Sequence, residues 1–75
     1  MRELLKDVLI EKGRSQVWIM QQLATKGIER STSTLSQYCN GYKKPRDRYV
    51  LLVLAELLEC GIERIENCFI NAKSE

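Results

Sequence analysis

The residues in this chain that could do chemistry form a run of small hydrogen-bonding side chains ending in cations. The run is STSTLSQYCNGYKKPRDR, residues 31–48. Serine, threonine, glutamine and asparagine can pair with the edges of nucleobases, and lysine and arginine neutralise phosphates. The spacing turns these side chains into a surface. Leu35, Tyr38 and Cys39 fall at i, i+3 and i+4, which on a helix is one buried stripe. Thr32, Ser33, Ser36, Gln37 and Asn40 then face outward. Ser31 is a fitting N-cap, because its hydroxyl can accept from the unpaired amides of the first turn. Gly41 stands where a left-handed C-terminal cap is expected. Pro45 stops the helix from continuing, and Lys43, Lys44, Arg46 and Arg48 make the following turn basic. A polar helix face with a cationic loop at its end suits a DNA groove flanked by phosphates.

The rest of the chain must position that face. With 75 residues it is one small domain, which buries only a modest core. A 44% apolar and 29% charged composition is that of a globular chain and argues against disorder. No apolar run is long enough for a membrane span, and the first twelve residues lack a signal-peptide core. A cytoplasmic protein is the expectation. The net charge is only +2, but it is unevenly spread. Residues 1–24 carry +1, residues 25–49 carry +4 and residues 50–75 carry −3. Such asymmetry predicts a localised anion-binding face. Three cysteines, Cys39, Cys60 and Cys68, are an odd number without a C-x-x-C pair. They read as reduced core residues rather than a disulfide framework. With no histidine in the chain, a zinc site would need carboxylates to complete its ligands, so no metal or cofactor is expected.

Periodicity predicts an all-α fold, a compact bundle of about five short helices. The first spans 2–12, with Leu4, Leu5, Val8 and Leu9 on one side. The second spans 15–25, capped by Ser15 and buried along Ile19, Met20 and Leu23. Trp18 lies off that stripe and is expected to pack against the first or last helix. The third spans 31–40. The fourth, 46–60, is apolar around most of its circumference and is ended by Gly61. The fifth spans 62–73, with Ile62, Ile65, Phe69 and Ala72 on one side, and residues 74–75 are expected to fray. Nothing in the sequence alternates like a strand.

This arrangement resembles the lambda-repressor/Cro-like helix-turn-helix domains of phage and bacterial regulators. The likeness rests on Ser15-Gln16 with Ile19 and Leu23, and on Ser31-x-Ser33-Thr34-Leu35-Ser36-Gln37-Tyr38 followed by Asn40-Gly41. Lys44-Pro45 and the apolar helix holding Leu54-Ala55 complete it, so that residues 3–66 are covered. The run from Leu35 to Gly41 is also similar to the N-terminal DNA-binding module of Mu-type transposition ATPases. One departure stands out. The family places a glycine directly after the position of Leu23, where this chain has Ala24, and about five extra residues precede Ser31. Either the second helix runs on or the connection is an extended loop.

The resemblance implies that the third helix enters the major groove. Thr32, Ser33, Ser36 and Gln37 would then face bases, with Gln37 able to pair bidentately with adenine. Gln16 matches a position that touches phosphate, and Arg30, Asn40, Lys43, Lys44, Arg46 and Arg48 would hold the flanking backbone. The implied function is that of a sequence-specific transcriptional regulator, a repressor or Cro-like protein, acting on double-stranded DNA. An enzyme is not expected. There is no histidine base for Cys39, no phosphate-cradling loop and no convincing carboxylate pair. Neither a membrane nor a small-molecule substrate is expected as partner. The alternative is a protein-interaction module, an antirepressor or adaptor using the same fold. A homodimer reading a two-fold site is also expected, joined through Val50, Val53, Leu57, Ile65 and Phe69, because one short helix reads few base pairs.

Overall fold

The computed structural model describes residues 3–74, and positions 1, 2 and 75 lie outside that range. Five helices carry most of the chain: α1 (Leu5–Glu11), α2 (Gln16–Thr25), α3 (Thr32–Cys39), α4 (Arg48–Leu57) and α5 (Ile62–Asn67). Two short strands, β1 (Lys43–Lys44) and β2 (Lys73–Ser74), pair in parallel. All five predicted helices are present, each shorter than its sequence pattern.

Three of the starts follow N-cap side chains. Ser15 accepts from the Trp18 amide at 3.1 Å, Ser31 from the Thr34 amide at 3.1 Å and Asp47 from the Tyr49 amide at 2.9 Å. Asp47 sets the start of α4 at Arg48 rather than 46. At α1 the Asp7 carboxylate accepts from the Leu4 amide at 2.9 Å, so the helix begins at Leu5.

The ends share one device. After α2 the Ile28 amide donates back to the Leu23 carbonyl, and after α3 the Tyr42 amide donates to Gln37, each at 2.9 Å. Gly27 and Gly41 stand at the left-handed position this closure needs, with φ of 81° and 74°. After α4 the Cys60 amide closes on the Ala55 carbonyl in the same way, but Glu59 takes the left-handed position, at φ 52°. Gly61 was expected to end that helix. Instead it is extended, at φ −71°, and is the N-cap of α5.

The core gathers Leu5, Val8 and Leu9 from α1, Ile19 and Leu23 from α2, and Leu35, Tyr38 and Cys39 from α3. α4 supplies Val50, Leu51, Val53, Leu54 and Ala55. It packs on both α2 and α5, which explains why it is apolar on two sides. Trp18 is half-buried against this core, with the Arg14 guanidinium 4.4 Å above its ring centroid. Ile28, in the connection after α2, is buried too. It anchors that connection as a turn and an extended stretch, which resolves the alternative in favour of a loop.

α5 stops at Asn67 rather than reaching 73. The chain tightens into i to i+3 turns, with the Phe69 amide on Glu66 and the Ala72 amide on Phe69, each at 3.0 Å. This brings Phe69 edge-on to Tyr38, centroids 6.5 Å apart at 89°. It also frees Lys73–Ser74 to pair with β1, so Ser74 is held where fraying was expected. Among the described residues no helix is long and apolar enough to cross a membrane.

Candidate nucleic-acid interface

α3 turns one face into the core and the other to solvent. Leu35, Tyr38 and Cys39 are buried, while Ser33, Ser36, Gln37 and Asn40, at i, i+3, i+4 and i+7, form a continuous polar stripe. Ser33 is exposed and Gln37 half-exposed, and among the described residues neither side chain makes a hydrogen bond. Their donors and acceptors are available to a ligand. Ser36 and Asn40 are partly committed, because the Asn40 amide donates to the Ser36 carbonyl at 2.8 Å and to its hydroxyl at 3.4 Å. This bond secures the end of the helix. Thr32 is exposed, but its hydroxyl points back to the Met20 sulfur of α2, at 3.8 Å.

Gln16 reaches the same end of α3. Its side-chain amide donates to the Thr32 carbonyl at 3.2 Å, which fixes the start of α2 against the start of α3. The expected phosphate ligand is therefore also a brace between the two helices. Arg30 lies along the connection, with Nη1 donating to the Glu29 carbonyl at 3.0 Å and Nε to the Tyr38 hydroxyl at 3.4 Å. It provides a partner for a phenol that is otherwise buried.

The basic turn leaves α3 at Gly41. Tyr42 is 70% exposed, Lys43 and Lys44 are half-exposed, and Pro45 is buried and anchors the far side. Among the described residues neither Lys43 nor Lys44 has a carboxylate within ion-pair distance. Arg46 is exposed. Arg48 is also exposed but shares its charge with Glu66 of α5, at 3.3 Å.

Two residues escaped the sequence reading. Lys73 is brought beside Lys43 by the parallel pairing, its amide donating to the Tyr42 carbonyl at 3.1 Å. No local pattern could have shown this, because the partners lie far apart in the chain. Tyr42 had a visible signal: an aromatic directly between the cap glycine and two lysines.

The proposed dimer surface is corrected. Val50, Val53, Ile65 and Phe69 are all 4% exposed or less and belong to the core of the single chain, and Leu57 is half-buried against it. A chain this short needs both apolar sides of α4 for itself. Among the described residues the large apolar side chains left outside are Ile10, Val17, Tyr42, Tyr49, Leu52 and Ile70.

The cysteines are thiols. Burial pushes Cys39 and Cys68 up to about 11, and Cys60 is raised by the same cause. Among the described residues no three potential metal ligands come together, and no pocket opens. The chain matches no family model, no curated protein and no solved structure.

Proposed function

We propose that the chain binds double-stranded DNA sequence-specifically, as a transcriptional regulator of the lambda-repressor/Cro-like kind. In this reading α2 and α3 form a helix-turn-helix. α3 lies in the major groove and the turn around β1 rests on phosphates. One observation carries the reading: the outward stripe of Ser33, Ser36 and Gln37 runs directly into Lys43 and Lys44, cations without a carboxylate partner among the described residues. Short polar side chains and one glutamine give modest direct readout, so phosphate contacts supply the larger share of affinity.

Two copies on a two-fold site would give one short helix useful specificity. Their contact would come from residues left outside the core, such as Tyr49 and Leu52 of α4, which are 49% and 46% exposed. The same two residues favour a second reading, a protein-docking module. Selection from a random DNA pool, followed by a salt series on the enriched duplex, tests both. The DNA reading expects a consensus and an affinity that falls steeply with salt. No enrichment, or a nearly salt-independent affinity, would overturn it.

A further inference from the structure

The pairing of β1 with β2 sets two like charges side by side. Lys43 and Lys73 are directly opposite in a parallel register, and residues so placed project to the same face of the ladder. Like charges in that position repel. Lys44 stands opposite Ser74, which carries no countercharge. Among the described residues neither Lys43 nor Lys73 has a carboxylate in ion-pair range. The ladder is short, two residues a side, and beside its own bonds the Lys73 amide donates to the Tyr42 carbonyl at 3.1 Å. A short backbone pairing thus sets two lysines side by side, and their like charges work against it. An anion between them would reverse the sign of that contribution.

We infer that Lys43 and Lys73 form a cationic clasp for one phosphodiester of the DNA backbone, and that docking of β2 onto β1 is coupled to that phosphate. The inference rests on the DNA reading proposed above and extends it to a segment beyond α5. Coupling is reciprocal: if the phosphate favours the docked strand, the docked strand favours the phosphate by the same factor. Lys73 is exposed, so its ammonium can reach a ligand without rearrangement of the core.

The test uses the whole chain and a short duplex of mixed sequence at low salt. Lys73→Gln removes the charge but keeps the backbone amide that pairs with Tyr42. Lys6→Gln, on the exposed side of α1, is the control for removal of one positive charge elsewhere. Affinity is measured across a salt series, and exchange of the Lys73 amide is followed by NMR with and without duplex. Lys73→Gln is expected to weaken binding several-fold and to flatten the salt slope by about 1, while Lys6→Gln changes neither. Duplex should slow exchange of the residue 73 amide in the wild type and do so less in Lys73→Gln. If Lys73→Gln matches the wild type or the control while Lys43→Ala/Lys44→Ala still weakens binding, the clasp is overturned and the DNA reading stands. If the wild type fails to bind any duplex, both fall.

Discussion

Two charged regions of this molecule differ in what their cations already hold. At the α1–α5 junction the Arg64 guanidinium donates to both Glu3 and Glu11, through four hydrogen bonds of 2.6–2.9 Å. Its charge is fully occupied within the chain. At the end of α3, Lys43 and Lys44 have no carboxylate partner among the described residues, and β2 adds a third such cation, Lys73. The lesson is that charge density alone does not mark a binding face. A cation with its carboxylates in place ties helices together, whereas one without them is available to an outside anion.

The largest expected effect falls on the frame both regions share. Leu54 is 0% exposed at the centre of α4. Leu54→Ala should cost roughly 2–5 kcal/mol of stability, read by denaturant unfolding. A cost near zero would mean that α4 is not the central helix.

The comparison itself breaks or holds on the next substitution. Lys43→Ala/Lys44→Ala should weaken binding to every DNA sequence and flatten the salt slope by about 1 for each phosphate no longer neutralised. Thermal unfolding without DNA should change little. Arg64→Met should do the opposite, lowering stability and leaving DNA affinity unchanged. Gln37→Ala sharpens the contrast between base and phosphate contacts. It should cost about 1–3 kcal/mol on the preferred site and much less on unrelated sequence.

Acid gives a smaller and separable signal. Hydrogen bonds from Arg64 hold the Glu3 and Glu11 carboxyls below the ordinary value of 4.5. Folded values lowered in this way contribute stability that is present above pH 4.5 and lost as pH falls through the folded values. The melting difference between wild type and Arg64→Met should therefore narrow as pH drops below 4.5. A gap that stays constant would mean that these carboxylates are not held by Arg64. The smallest effect is at Glu59, a non-glycine at φ 52°. Glu59→Gly relieves a left-handed backbone and should stabilise the fold by about 0.5–1 kcal/mol.

What was legible in the sequence follows the range of each interaction. The five helices, the Ser15 and Ser31 caps and the inward face of α3 are local, written in spacings of three and four residues. The buried Ile28, the early end of α5, the β1–β2 pair and the Arg64 junction depend on partners distant in the chain, and periodicity carries no trace of them. The dimer surface was misread for a related reason. Apolar residues on two sides of α4 looked like a surplus, because the sequence alone could not show α2 and α5 packing on both. On the candidate interface, the outward places of Ser33 and Gln37 were readable from spacing. The internal commitments of Thr32, Gln16 and Asn40 were not, because they depend on how α2 and α3 meet and on how α3 ends.

The most direct measurement is a titration of the isotopically labelled chain with the selected duplex, following each backbone amide by NMR. The account predicts the largest shifts at Ser33, Gln37, Tyr42, Lys43, Lys44 and Lys73, with Glu3, Glu11 and Arg64 unmoved. Shifts centred on Tyr49 and Leu52 of α4, with Ser33 and Gln37 silent, would contradict it.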